Sequence, residues 1–267
     1  MNTKLKYIIK KIVSKKILNK ISKFYLYNSF RGNYSGFHEI KNKTTSYDDK
    51  KILSRVKYAY YNSLKSSLIS DRDGEIIFKK ENELKLIRYL NQFSKNKKSH
   101  VIDFGGSLMN FQRKYKFIIN RNIRWIVVDN KKICELGKEL KINAVFFYDF
   151  EIALKSIEKN NIKFTTVLFG SVLQYVEDIE KIIRLCNKYH IKQIIIHRQP
   201  ILKKINKLIS IQHVPFWVSR LKYAVCLYSE RKMINFFLKY DYKLTTSFKS
   251  LGYPFKNGSY KNLILKR

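Results

Sequence analysis

The chain has 267 residues, of which 45% are hydrophobic, so it can bury a sizeable core and is not expected to be globally disordered. Its 55 Lys and Arg against 20 Asp and Glu give a formal net charge of +35. Such a charge favours polyanionic neighbours, namely nucleic acid, an anionic membrane surface or acidic glycans. The abundance of Lys, Ile, Asn and Tyr is also typical of an AT-rich genome, so part of the charge can reflect codon usage.

The cysteine pattern argues against a disulfide-stabilised domain and against a zinc-stabilised one. Cys134, Cys186 and Cys226 are widely spaced, odd in number and form no CxxC pair, which indicates neither a disulfide framework nor a zinc site. We therefore expect no metal and a reducing compartment. No apolar run approaches about 18 residues, and the N-terminus lacks the apolar core of a secretory signal. These features predict a cytoplasmic protein, with a peripheral position at the inner membrane left open.

Residues 1–27 predict a basic amphipathic helical segment. Apolar residues between positions 5 and 13 cluster on one helix face, and those between 17 and 25 cluster on a face rotated by roughly 150°. We expect a break near Ser14–Lys16, or a helix buried on different sides along its length. Two interpretations stay open: an anchor on an anionic leaflet, or a helix packed on the domain with solvated lysines.

Residues 28–95 predict a mainly helical cap. Helical periodicity runs over about Asp48–Ser67 and again over Glu81–Phe93, and Asp71–Gly74 has the composition of a turn. From residue 96 to residue 267 short apolar runs alternate with helical patterns, which predicts a parallel α/β sheet with covering helices.

The strands of this third segment are predicted at 100–104, 124–128, 143–147, 164–169 and 191–197, with helices at 131–140, 150–160 and 178–190. After residue 197 we expect helical or irregular segments leading to a helix at 229–240. The last two strands, 242–248 and 262–265, follow one another, so one of them is expected to be antiparallel.

Polar residues stand at the carboxyl end of every predicted parallel strand, where such sheets bind ligands. The candidates are Asp103, Gly105, Gly106 and Ser107 after the first strand, Asp129 after the second, Asp149 after the third, Ser171 and Tyr175 after the fourth, and His197 and Arg198 after the fifth.

The glycine turn does not match the dinucleotide fingerprint, because Gly105-Gly106 is followed by Ser-Leu-Met-Asn rather than by correctly spaced glycines. A short glycine turn with a carboxylate two residues before it suits a nucleotide-type cofactor that lacks a pyrophosphate. The next strand ends in Asp129, which is well placed to accept hydrogen bonds from a ribose diol.

At these residues the chain resembles the class I S-adenosylmethionine-dependent methyltransferases. The resemblance implies a Rossmann-like, mostly parallel seven-stranded sheet with helices on both faces, and S-adenosylmethionine as the cofactor. It implies that Asp103, Gly105, Gly106 and Ser107 line the methionine and ribose side, that Asp129 holds the ribose hydroxyls, that Asp149 lies near the adenine, and that Ser171 belongs to the motif after the fourth strand.

The chain is also similar, from about residue 30 onward, to a methyltransferase family encoded in bacterial surface-polysaccharide and lipopolysaccharide gene clusters, whose activity is inferred from fold and gene context. The matching pieces are Gly32–Ser35, Tyr47–Asp49, Asp71–Gly74, Asp103–Leu108, Trp125–Asp129, Ser171–Tyr175, Arg198–Pro200, Gln212–Pro215 and Leu251–Tyr253. Met109 departs from this pattern, since the family usually has a further glycine there, and its side chain could crowd the cofactor loop.

Transfer of a methyl group to a sugar hydroxyl needs a base. His197 and His213 are the candidates, although each histidine can equally be a structural hydrogen-bonding residue. Tyr175 and Arg198 are candidate substrate-binding residues, since a guanidinium suits a phosphate or carboxylate of a glycan precursor, while a solvated surface arginine is an equal alternative.

The sequence thus predicts an S-adenosylmethionine-dependent methyltransferase acting on a sugar of a surface polysaccharide or its precursor, with anionic inner-leaflet lipid as a second contact. Two alternatives remain. A nucleic-acid methyltransferase would use the positive charge, but the chain has no Asn/Asp-Pro-Pro-Tyr-like motif to receive a flipped base. A non-catalytic binding protein would keep the fold without turnover.

Overall fold

The structure is a computed structural model that describes residues 15–45, 50–65, 70–72, 75–77, 83–93, 99–160, 165–215, 221–250, 252 and 254–267. Residues 1–14, with the start of the expected break at Ser14, lie outside the described residues. So do the matching piece at 47–49 and the centre of the predicted turn, residues 73 and 74.

Eight α-helices lie in the described part of the chain. They are α1 (Lys15–Tyr27), α2 (Lys50–Leu64), α3 (Leu84–Phe93), α4 (Asn110–Tyr115), α5 (Lys131–Glu139), α6 (Phe150–Lys159), α7 (Ile179–Lys188) and α8 (Glu230–Leu238). Asn130, Asp149, Asp178 and Ser229 each accept the backbone N–H three residues ahead, and so cap the N-termini of α5 to α8.

Twelve strands lie in the same residues. They are β1 (Phe30–Tyr34), β2 (Ser70–Arg72), β3 (Glu75–Ile77), β4 (Ser99–Phe104), β5 (Ile123–Val128), β6 (Val145–Phe147), β7 (Thr165–Gly170), β8 (Gln193–Leu202), β9 (Lys207–His213), β10 (Lys222–Ser229), β11 (Lys243–Lys249) and β12 (Gly258–Lys266). The strands β2 and β3 form a separate two-stranded sheet.

The predicted Rossmann-like fold class is confirmed by the order of the main sheet. The strands β6, β5, β4, β7 and β8 are neighbours in that order and all their pairings are parallel. On the other edge of β8 lies β12, which is antiparallel to it, and β11 pairs with β12. These seven strands correspond to the predicted sheet and include the expected antiparallel strand.

The main sheet has ten strands, so the predicted count of seven is wrong. Three further strands extend the predicted sheet. β8 runs ten residues, whereas β7 stops at Gly170, so the second half of β8 needs another partner. Near Ile201 and Leu202 that partner is β10, which pairs in turn with β9, and β9 pairs with β1. β1 comes from the predicted N-terminal cap.

The expectation of helical or irregular structure after residue 197 is wrong, because β9 and β10 form a strand pair there. The alternation of Ile209 and Ile211 with Ser210 and Gln212 is the strand pattern that carries this pairing. The two strands are separated by residues 214–221, which contain no Gly, Asn or Asp, and therefore lack the usual composition of a hairpin turn.

Two apolar layers cover the sheet. Side chains of α3, α4 and α5 pack on one face, around Val101, Val127 and Leu168. Side chains of α6, α7 and α8 pack on the other face, around Ile102 and Val167. The sheet is therefore buried between helices on both sides, as near-continuous apolar strands require.

Helix α2 covers the carboxyl edge of the sheet. Ile52 and Val56 pack in one buried cluster with Leu108 of the glycine turn and Tyr223 of β10. Arg113 of α4 fastens the far end of α2, since its guanidinium donates to the Ser63 hydroxyl at 2.6 Å. Within the described residues, none of the helices is long and apolar enough to cross a membrane.

Candidate functional site

The turn after β4 approaches the tip of β5 through its backbone. Gly105 has a φ of 72°, and its N–H donates to the carbonyl of Val128 at 2.8 Å. A Cβ on Gly105 would lie 2.7 Å from Cγ2 of Val172, and a Cβ on Gly106 would lie 2.6 Å from Cγ of Asp103. Both glycines are therefore required by close packing, and Gly105 also by its left-handed backbone.

Asp129 joins this turn to β5. Its Oδ2 accepts the Ser107 backbone N–H at 2.9 Å, and its Oδ1 accepts the backbone N–H of Asn130 at 2.8 Å. Oδ1 also accepts the side-chain amide of Asn130 at 3.2 Å. Two sequence-predicted groups, the glycine turn and the acid of the next strand, are thus brought into direct contact.

Asp103 lies buried below the turn, with 2% of its surface exposed. Its Oδ2 accepts the indole N–H of Trp125 at 3.1 Å. Burial in apolar surroundings raises the pKa of Asp103 to about 7, the Trp125 hydrogen bond opposes this rise, and the nearby negative charge of Asp129 adds to it. Near neutral pH the carboxyl is therefore divided between its two protonation states.

Gly170, the last residue of β7, leaves space beside Asp103. A Cβ built on Gly170 would have only Asp103 Oδ1 near it, at 4.0 Å. Asp103 of β4 pairs in register with Leu168 of β7, and Gly170, two positions further along β7, pairs with His197 of β8. Because side chains alternate along a strand, these four residues lie on one face of the sheet. This open position lies between the acid of β4 and the histidine of β8.

His197 is held by a buried carboxylate that the sequence did not indicate. Its Nε2 lies 3.1 Å from Oε1 of Glu83, which is 4% exposed. The other oxygen of Glu83 accepts the side-chain amide of Asn262 at 3.3 Å, and Phe111 packs edge-on against the imidazole at 5.3 Å. Donation of Nε2–H to Glu83 leaves Nδ1 as the basic nitrogen of the ring.

The remaining polar residues of the fourth and fifth strand ends are linked to one another. The Ser171 hydroxyl donates to the carbonyl of Arg198 at 2.9 Å, and the Ser171 N–H donates to the carbonyl of His197 at 2.8 Å. The guanidinium of Arg198 lies over the ring of Tyr260 at 5.3 Å. Ser171, His197 and Arg198 therefore form one connected region.

Tyr175 contacts two of the strands that extend the sheet, β9 and β10. Its hydroxyl donates to the side-chain oxygen of Gln212 in β9 at 2.7 Å, and its ring meets Tyr223 edge-on. His213, the next residue of β9, is half-buried, and burial lowers its pKa, with Arg31 and Lys222 adding to the effect. Since β10 lies between β9 and β8, the two candidate bases stand on non-adjacent strands.

Asp149 is exposed and caps α6, its Oδ1 accepting the N–H of Ile152 at 2.8 Å. Whether it also contacts an adenine stays a prediction. Met109 has a φ of 60°, the left-handed conformation that a glycine would adopt without strain. Its side chain is buried in the apolar cluster with Trp125.

Glu83, Asn262, Phe111 and Trp125 are the site residues that sequence reasoning missed. Glu83 and His197 are separated by 114 positions, and Glu83 and Asn262 by 179. No spacing pattern connects residues so far apart. Over the described residues, no group of three or more His, Cys, Asp or Glu could hold a metal ion.

No protein-family model and no curated protein matches this chain. Solved structures are similar to it at the level of the fold. One is the N-terminal domain of EvdMO1, determined in the presence of SAH and D-fucose, at 10% identity over 82% of this chain and 97% of that one, with a TM-score of 0.44. Another is the Burkholderia thailandensis 1,6-didemethyltoxoflavin-N1-methyltransferase, at 10% identity over 89% and 92%, with a TM-score of 0.44.

A third similar structure, described as a pericyclic reaction enzyme, has 11% identity over 94% of this chain and 62% of that chain, with a TM-score of 0.49. At identities this low the similarity concerns the fold alone.

The buried Asp103 predicts a pH-dependent loss of stability. In the unfolded chain this acid ionises near pH 4, whereas in the folded chain it keeps its proton up to about pH 7. The folded state therefore holds an extra proton between these values, and its stability falls as the pH rises from about 4 to about 7. Asp103→Asn removes this contribution, so the variant gains roughly 2–4 kcal/mol over the parent across that window.

Urea unfolding of both proteins at several pH values measures this difference. Titrating groups that do not interact with Asp103 contribute equally to both curves and cancel in the comparison. A difference that stays constant from pH 4 to pH 8 would contradict the assignment.

The packing at the two strand ends predicts opposite results for two glycine substitutions. Gly105→Ala forces a Cβ into Val172 at a left-handed position and should destabilise the fold by about 1–3 kcal/mol. Gly170→Ala enters open space and should change stability by less than about 1 kcal/mol. Equilibrium denaturation of the pair measures both, and equal losses would show that the turn is not closely packed.

Proposed function

We propose that this protein is an S-adenosylmethionine-dependent methyltransferase. The observation that carries the proposal is the contact of Asp129 with the Ser107 N–H, which sets an acceptor carboxylate directly beside a glycine turn at the carboxyl edge of a parallel sheet. A ligand with a ribose diol and no pyrophosphate suits this arrangement, because the diol supplies donors and the turn supplies approachable backbone.

The residues present fit such a cofactor. The Gly105–Gly106 turn is held against Asp129, whose partly exposed carboxylate would bind the ribose hydroxyls. Gly170 leaves space on the side facing His197. Asp149 would lie near the adenine and Ser171 on the methionine side. When bound, S-adenosylmethionine would supply a methyl group already activated by its sulfonium.

His197 is the proposed general base. With Nε2–H directed to the buried Glu83, Nδ1 can take the proton of an acceptor hydroxyl during transfer. Glu83 acts as a positioning residue, since it fixes the tautomer and orientation of the ring, and it stabilises the imidazolium that forms. His213, which lies on a non-adjacent strand, is the second candidate base.

The proposed acceptor is a sugar hydroxyl of a bacterial surface polysaccharide or of its lipid-linked or nucleotide-linked precursor, methylated on the cytoplasmic side of the inner membrane. Support comes from the similarity to the polysaccharide-cluster family and from the net charge of +35, which suits an anionic precursor. Tyr175 and Arg198, at the strand ends beyond His197, would contact this acceptor.

The direct test has two stages. Isothermal titration with S-adenosylhomocysteine measures cofactor binding, and no binding would refute the proposal. Glycan analysis of a deletion strain then asks for a missing methyl group on the surface polysaccharide. Cofactor binding with an unaltered glycan would leave a non-catalytic or a nucleic-acid-directed role, and transfer of labelled methyl to RNA or DNA would identify the latter.

Asp129→Asn should weaken S-adenosylhomocysteine binding about tenfold or more. The amide oxygen can still accept from Ser107, but the other group becomes a donor and no longer accepts a ribose hydroxyl. The matched control is Asp178→Asn, because Asp178 is an exposed acid that caps α7, and asparagine caps equally well. Titration calorimetry compares the two, and equal affinities would remove Asp129 from the site.

Glu83→Gln should lower kcat on the order of tenfold to a hundredfold and leave KM nearly unchanged. The glutamine can occupy the same position, but it stabilises the protonated imidazole less and no longer fixes one tautomer. Steady-state kinetics over a pH series provides the readout, with the acidic limb of the profile expected to move. A rise in KM at constant kcat would instead indicate a role in substrate binding.

A further inference from the structure

The outward face of α1 combines exposed apolar side chains with lysines. Phe24 is 72% exposed, Ile21 46% and Tyr27 44%, and Lys20 and Lys23 are exposed between them. At 100° per residue these five positions occupy one side of the helix, about 160° wide. A face of this kind is not expected for a helix in water, since exposed apolar side chains normally occur singly.

The opposite face of α1 is the one that docks on the protein. Tyr25 and Leu26 are partly buried, and the Tyr25 hydroxyl donates to the carbonyl of Val214 at 3.4 Å. Ser29, just after the helix, accepts the backbone N–H of His213. The helix is therefore fixed against the β1–β9 side of the molecule with its apolar residues directed outward.

Two loops adjoin the end of α1 and add to the same charge. The Lys256 N–H donates to the carbonyl of Tyr27 at 2.9 Å, and the Lys203 N–H donates to the carbonyl of Asn257 at 2.9 Å. The loop at 203–206 carries Ile205, which is 43% exposed. We define the α1 surface as the outward face of α1 together with residues 203–207 and 254–257.

The charged side chains that the α1 surface itself contributes are all lysines. Residues 20–27, 203–207 and 254–257 contain no Asp, Glu or Arg, and they carry six lysines: Lys20, Lys23, Lys203, Lys204, Lys207 and Lys256. The sequence places these lysines almost two hundred positions apart, so only the fold assembles them.

We propose that the α1 surface binds an anionic lipid bilayer, with Phe24, Ile21 and Tyr27 inserted among the acyl chains and the lysines at the headgroups. Helices that lie in a membrane interface have apolar side chains on one side and lysines beside them, and each lysine near an anionic leaflet adds to the attraction. The protein presents both features on one rigid face.

Nucleic acid fits the α1 surface less well. Ile21 and Ile205 cannot stack on bases as aromatic rings do. The absence of arginine from the three segments also removes the side chain best suited to bidentate phosphate contacts. Acyl chains, in contrast, accept aliphatic and aromatic side chains alike.

The location of this surface bears on the substrate. The loop 203–206 follows the carboxyl end of β8, and so lies toward the same edge of the sheet as the glycine turn and Ser171. A bilayer in contact with it would face the side on which acceptors enter. If the proposed methyltransferase function holds, and this consequence rests on it, the acceptor is the lipid-linked precursor rather than the nucleotide-linked one.

Vesicle co-sedimentation of the full chain tests the proposal independently of any methyl transfer. Vesicles of phosphatidylglycerol and phosphatidylcholine in equal mole fractions should bind the protein, and vesicles of phosphatidylcholine alone should not. Phe24→Ala should lower partitioning about tenfold. The double variant Lys20→Glu and Lys23→Glu should lower it at least about twentyfold.

Matched controls exist elsewhere on the chain. Phe117 is 80% exposed on the loop before β5, and Lys155 and Lys159 are exposed on α6, at the opposite end of the sheet from β1. Phe117→Ala and the pair Lys155→Glu and Lys159→Glu should leave partitioning within about twofold of the parent. Unfolding midpoints confirm that every variant is folded.

Three results would overturn the proposal. Equal losses in the two charge-reversal pairs would assign binding to net charge alone. Unchanged partitioning of Phe24→Ala would show that no side chain inserts. Single-stranded RNA that displaces the protein from vesicles, and that itself binds Phe24→Ala more weakly, would assign the surface to nucleic acid. Loss of vesicle binding would leave S-adenosylhomocysteine titration unaffected, so this proposal and the proposed function fail separately.

Discussion

The hydrogen bond between the Asp129 carboxylate and the Ser107 N–H is the constraint on which the candidate site depends. It holds the turn after β4 against the tip of β5, although Gly105, Ser107 and Met109 all have positive φ values. Positive φ values cost free energy at Ser107 and Met109, which are not glycines, and they persist only where surrounding contacts fix the backbone. A backbone held in this way keeps its N–H groups and its open space in place before any ligand arrives, which reduces the entropy lost on binding.

Around that turn the protein distributes its charged groups according to depth. Asp129 is half-exposed and accepts the backbone N–H groups of Ser107 and Asn130. Asp103, one layer below, has its pKa raised to about 7 by burial. Glu83 is nearly as buried, but each of its carboxyl oxygens has a hydrogen-bond partner, in His197 and in Asn262. The carboxylates of one small region thus have different tasks because their surroundings differ.

The three strands that extend the sheet beyond β8 flank the candidate site. β8 extends several residues beyond the end of β7. There β10 replaces β7 as its neighbour, and β9 and β1 lie further out in the sheet. This extension places Tyr175, Tyr223 and Leu108 in contact with α2, which covers the carboxyl edge. α1 also docks on this extension. The same three strands therefore adjoin the candidate site and support the helix that carries the exposed apolar face.

The sequence by itself determined the parallel sheet, because the strands near 100, 124, 164 and 191 are continuous apolar runs that only a doubly covered sheet can bury. It also determined Asp103, the glycine turn and Asp129 as neighbours, since the carboxyl ends of adjacent parallel strands must meet. The tertiary structure alone decided that β9 and β10 are strands, because their turn lacks a turn composition and their pairing partners are distant. It alone decided that Glu83 and Asn262 hold His197, and that Lys256 and Lys203 adjoin α1, since contacts across more than a hundred residues leave no periodic signal in a single sequence.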